Sequence, residues 1–167
     1  MKLAYHQQEL RLLPGKLGLW GSQIDRDEFP DTSPEKIGLI VTTLQALSYQ
    51  IDDLCTLRDD PSIDDKLISL KDEIRDWRLA LVAVLARFVE GSPAASQKEL
   101  AEKLAIRMER INAQCEQMIS EDKRLDNKDA RQLYRLLGGF RRLSQEVIVY
   151  AGVTAQVNWA DWRREHF

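Results

Sequence analysis

"DARQLYRLLGGFRRLSQEVIVYAGVTAQV", residues 129–157, decides the architecture. Leu133, Leu136, Phe140, Leu143, Val147, Tyr150, Thr154 and Val157 follow one another at steps alternating between three and four. That spacing keeps the side chains on one narrow face of a helix, whereas a strand requires alternation by two. Gly138 and Gly139 interrupt the run, and each glycine inside a helix costs about 1 kcal/mol relative to alanine. The expected compensation is close approach of another helix, or of an N-terminal aromatic loop, to that bare backbone; a kink is the competing account.

The same rhythm recurs upstream. Residues 34–58 carry Ile37, Ile40, Leu44, Leu47, Ile51 and Leu54; residues 61–90 carry Ile63, Leu67, Leu70, Ile74, Trp77, Leu81, Val84 and Phe88. Residues 93–120 carry Leu100, Leu104, Met108, Ile111, Cys115 and Met118. Ser33-Pro34, Asp60-Pro61 and Ser92-Pro93 each pair a capping side chain with a proline at the first helical position, where its missing N–H would have had no partner. Asp126 can cap the fourth helix, and Gly91 suits the end of the second. Short connections at 59–60, 91–92 and 121–126 force neighbouring helices antiparallel. The expected fold is therefore all-α, an antiparallel up-down four-helix bundle over 34–167. Residues 1–33 read as a short helix at 2–12 followed by a glycine- and proline-rich loop over 14–34. Leu17, Leu19, Trp20 and Phe29 in that loop are expected to pack back on the bundle, making one domain overall.

Composition narrows the function classes. At 167 residues, with 44% apolar and 31% charged residues, the chain fits one ordinary globular domain. That length buries roughly 70% of the unfolded surface, so folding needs no disulfide or metal. A net charge of −3 is too small to argue for nucleic acid or an anionic membrane surface. Cys55 and Cys115 read as buried free thiols in a reducing compartment. "MKLAYHQQELRLLPG" lacks the apolar core of a signal peptide. "LALVAVLARFV" (79–89), broken by Arg87, is too short to span a bilayer, so this chain is expected to be soluble.

Candidate chemistry is sparse. Asp52-Asp53, Asp59-Asp60 and Asp64-Asp65 cluster near the first interhelical turn, but they lack the spacing of a calcium loop and suit solvated helix ends. Glu99 with Glu102 and Glu116 with Glu121 lack the Glu-x-x-His partners of a di-metal bundle, since the histidines are His6 and His166. Lys123, Arg124, Lys128, Arg131, Arg135, Arg141 and Arg142 make a basic run that reads as a solvated face, with contact to an acidic partner or to membrane phosphates as the other option. No nucleophile elbow, Cys/His pair or phosphate-cradling glycine loop is present. The expectation is no enzyme, no catalytic, cofactor-binding or metal residues, and no cofactor. Trp159 and Trp162, at i and i+3, are expected to cap one end of the bundle or to anchor a partner.

Several stretches together resemble one family. "LYRLLGGFRRLSQEVIVYAG" (133–152) and the terminal "VNWADWRREHF" (157–167) resemble the C-terminal end of the FUSC-type proteins, the fusaric acid resistance and aromatic acid exporter family. "LLPGKLGLW" (12–20), "LQALSYQIDDL" (44–54) and "IRDWRLALVAVL" (74–85) add to the resemblance, which spans nearly the whole chain. The basic "RRLSQEV" run departs from the family's shorter, less basic link. The resemblance implies a cytoplasmic helical domain of a bacterial inner-membrane efflux transporter, serving assembly or regulation. Its partners would be the rest of the parent membrane protein and sister subunits, with no transport-site residue in this chain. The alternative expectation is a free-standing soluble helical-bundle adaptor for protein–protein interaction.

Overall fold

In a computed structural model, the described residues are 2–23, 33–58, 64–90, 94–121 and 127–157. They form six helices and, among the described residues, no strand: α1 (Lys2–Ser22), α2 (Pro34–Arg58), α3 (Asp64–Ser69), α4 (Lys71–Glu90), α5 (Ala94–Glu121) and α6 (Asn127–Thr154). The all-α class follows directly from the seams. Ile37, Ile40, Leu44 and Leu47 of α2 are buried, as are Leu133, Leu136, Phe140, Leu143 and Val147 of α6. Leu104, Met108, Ile111 and Cys115 bring α5 into the same core.

α6 is the hub, packing on α2, α5 and α4, while α1 packs on α2 and α4 on α5. The start of α2 meets the end of α6, where Ile37 and Ile40 join Val153 and Val157 in a small apolar cluster. Further along, a Cβ on Gly139 of α6 would lie 3.0 Å from Leu54 and 3.6 Å from Leu57 of α2. The glycine pair is thereby explained at Gly139 by close approach of a helix, not of the N-terminal segment. Helix α6 runs through both glycines without interruption.

A buried polar contact ties α4 to α6. The Trp77 indole N–H donates to Ser144 Oγ at 2.8 Å, and Ser144 donates in turn to the Phe140 carbonyl at 2.8 Å. The Trp77 and Phe140 rings meet edge to face, with centroids 4.7 Å apart. Aromatic pairs favour that arrangement because the ring edge is positive and the face negative.

Two expectations need correction. The helix expected at 2–12 continues to Ser22, straight through Pro14, which is buried. Proline removes one ladder bond and bends a helix, but it does not change the rotation that places the next residues. Leu10, Pro14, Leu17 and Gly21 still fall on one side, and Leu10 and Leu17 pack against the main core. Leu19 and Trp20, expected to fold back on the bundle, stand exposed on the other side. Phe29 lies outside the described residues. The segment expected as one helix over 61–90 is divided at Leu70, a fully buried turn between α3 and α4 whose carbonyl accepts from the Ile74 amide at 2.9 Å. Ser33 caps α2 as expected, its Oγ accepting from the Lys36 amide at 3.3 Å. Asp60-Pro61, Ser92-Pro93, Asp126, Gly91, Trp159 and Trp162 lie outside the described residues.

Candidate functional site

The acidic residues are drawn apart by arginines on two different helices. Asp52 accepts from Arg11 of α1 at 2.7 Å, and Asp53 accepts from Arg142 of α6 at 2.9 Å. Asp52 holds the Arg11 proton more tightly, raising that guanidinium's pKa, first through the hydrogen bond and then through charge. These carboxylates tie α2 to α1 on the one hand and to α6 on the other. Asp59 and Asp60 lie outside the described residues, as do the side chains of Asp64 and Asp65. Among the described residues, no three His, Cys, Asp or Glu side chains come together in a group that could hold a metal ion.

The glutamates pair locally along α5. Glu99 accepts from Lys103 at 2.7 Å, Glu116 from Asn112 at 3.0 Å and Glu121 from Gln117 at 2.8 Å, all at i and i+4. Glu102 is exposed, and so is His6, against the edge of the Tyr5 ring. Of the basic run, Lys128, Arg131, Arg135, Arg141 and Arg142 are exposed on α6, while Lys123 and Arg124 lie outside the described residues. Arg141 donates to Asn112 at 3.2 Å, and Arg142 also donates to Gln50 at 3.1 Å. Arg131, Arg135 and Arg142 share an open depression of about 520 Å³ with Tyr134 and Asp53. Cys115 is buried, and burial pushes its thiol up to about 11, with Glu116 and Glu73 adding to the shift. A thiol so protonated is a poor nucleophile at neutral pH. Cys55 is half-buried on α2.

A groove of about 520 Å³ opens between α2, the α3–α4 turn and α6, with Leu54, Leu67, Ile74 and Phe140 on its walls. Arg75 at its edge is held by Asp72 at 3.1 Å and Asp76 at 3.6 Å, both on its own helix.

The most distinctive surface is the outer face of α1. Its inner face is fixed by the Arg11–Asp52 pair, by Leu10, Pro14 and Leu17, and by Gly21, where a Cβ would overlap the Ile37 side chain. The opposite face then carries Tyr5 (61% exposed), Leu12, Leu13, Leu19 (62%) and Trp20 (58%). Such side chains occur singly on most surfaces; here five fall on one helical stripe. The sequence held a signal for it in the seven-residue repeats Tyr5–Leu12–Leu19 and Leu13–Trp20. The proline-glycine pair hid it by suggesting a loop.

Among the described residues, no helix is long and apolar enough to cross a membrane. Compared with protein-family models, curated proteins and solved structures, the chain matches none.

Proposed function

We propose that this chain is a non-catalytic helical interaction domain. In this reading α2, the broken α3–α4 helix, α5 and α6 form an antiparallel up-down four-helix bundle, and α1 lies along α2 as a fifth helix that presents a docking face. In this reading, which the resemblance of its sequence segments supports, the domain sits on the cytoplasmic side of a bacterial inner-membrane FUSC-type efflux transporter. Its work there is assembly or regulation, with the rest of the parent membrane protein and sister subunits as partners.

The observation that carries the reading is the apolar outer stripe of α1. An exposed row of leucines flanked by tyrosine and tryptophan is disfavoured in water and favoured in a packed interface, where aromatic anchors dominate the binding energy. Asp52, Asp53 and Arg142, singled out in the sequence, support the same reading, because together with Arg11 they fasten helices to one another.

The test is a fractionation blot of the native bacterium with antiserum raised against this chain. The expected result is one band, much larger than this chain, in the inner-membrane fraction. A soluble band of the chain's own size would overturn the transporter reading in favour of a free-standing adaptor.

A further inference from the structure

The outer face of α1 carries apolar side chains and, among them, one exposed acid and one exposed base. We propose that two copies of this chain associate through antiparallel contact of their α1 helices, about a two-fold axis passing between Leu12 and Leu13. This deepens the interaction-domain reading, on which it rests, by naming the partner and the register.

A two-fold axis at that point places residue i of one copy beside residue 25 − i of the other. Tyr5 then shares a layer with Trp20 of the second copy, Leu12 with its Leu13, and Glu9 with its Lys16. Tyr5, Leu12, Leu13 and Trp20 each meet another large apolar side chain, and Leu19 shares a layer with His6. The two charged residues lying between them meet opposite charge. Glu9 and Lys16 are both exposed, and they stand equally far from the axis on its two sides, so the ion pair forms twice. A closed dimer requires this kind of self-complementary patch. A single-charge stripe would repel its copy, and an uncharged one would leave the register unset.

The rotation of α1 makes the face available. The Arg11–Asp52 pair at 2.7 Å, Leu10 and Leu17 in the core, and the contact of Gly21 with Ile37 all hold the opposite side of the helix against α2. The stripe from Tyr5 to Trp20 is about 22 Å long at 1.5 Å per residue. One helix pair of that length falls at the small end of specific interfaces, so association should be in the micromolar range, on the order of 10 μM.

Sedimentation equilibrium of the full chain, from low micromolar to a few hundred micromolar, tests this. The expected result is a reversible monomer–dimer equilibrium. Leu12→Asp sets two carboxylates at the axis and should raise the dissociation constant at least about tenfold. Lys16→Glu should weaken pairing several-fold by opposing Glu9, and Glu9→Lys combined with Lys16→Glu should restore it to within about twofold. All the substituted positions are exposed, and helical circular dichroism verifies that each variant folds. Failure of the charge swap to restore pairing would overturn the register. A monomer at every concentration, or a dimer indifferent to Leu12→Asp, would overturn self-association through α1. Either result leaves the membrane-protein reading to the fractionation blot, so the two failures are distinguishable.

Discussion

Replacing Ser144 by alanine deletes one oxygen atom from an enclosed polar contact between α4 and α6. Ser144 is 4% exposed and Trp77 5%, and water does not reach the space between them. In the native chain the hydroxyl accepts from the indole N–H and donates to the Phe140 carbonyl. That carbonyl retains its place in the helix ladder, so losing the second bond costs about 0.5–1.5 kcal/mol. The indole N–H is left facing carbon, and an unmet buried donor costs about 1–3 kcal/mol. Allowing for overlap between the two, Ser144→Ala should destabilise by about 1.5–3 kcal/mol. For a chain of this size that is a fall in melting temperature of roughly 4–10 °C.

Trp77→Phe provides the control, because phenylalanine brings no donor. Alone it should cost about 1–3 kcal/mol through lost volume and the lost hydrogen bond. With no indole left to strand, Ser144→Ala added to it should cost about 1 kcal/mol less than it does in the native background. Urea unfolding followed by far-ultraviolet circular dichroism on the four proteins gives the cycle. A Ser144→Ala cost below about 0.5 kcal/mol, or single costs that simply add, would refute the view that this contact joins α4 to α6.

The glycine pair should respond asymmetrically. Gly138→Ala meets only the mobile tip of Arg142 at 3.4 Å and should stabilise by about 0.5–1 kcal/mol, while Gly139→Leu should destabilise by about 1–3 kcal/mol by pushing Leu54 and Leu57 away; thermal melts of both variants decide it. The raised pKa of Cys115 predicts alkaline sensitivity: between about pH 9 and pH 11 the unfolded chain has released the thiol proton and the folded chain still holds it. Its contribution is therefore present below pH 9 and lost as pH rises through about 11, so the native melting temperature should fall more steeply over that window than that of Cys115→Ala. Asp53→Asn removes an ion pair whose side chains are half-exposed, and it should cost less than about 1 kcal/mol in urea at low salt, shrinking further in 1 M sodium chloride.

The core was legible because its positions obey one period. Val147, Ile111 and Leu104 are fully buried, and each falls where the three-four spacing puts it. Two features escaped for the same reason: local residue preferences compete with packing. Pro14 and Gly15 signal a loop, yet a helix whose inner face is held by Leu10, Leu17 and Gly21 absorbs one missing hydrogen bond. Leu70 fits the seam of a continuous helix and is indeed buried, but spacing alone does not reveal that the backbone turns there. The outer stripe of α1 was visible as a seven-residue repeat in Tyr5, Leu12 and Leu19, but only the fixed rotation of the helix shows that this side faces away from the core. The partners of Asp52 and Asp53 were not legible, because each ion pair spans more than forty residues of chain.

The position of α6 at the centre also bears on how the chain is made. Every other described helix leaves the ribosome before α6, yet α6 supplies the surface on which α2, α4 and α5 are assembled. Until it emerges, the apolar faces of α2 and α4 have only their local neighbours to cover them. The emergence of α6 should therefore bring one late, cooperative consolidation of these helices, with the earlier ones dependent on chaperones while they wait. A nonsense mutation inside α6 would release a chain with most of its helices and almost none of its stability.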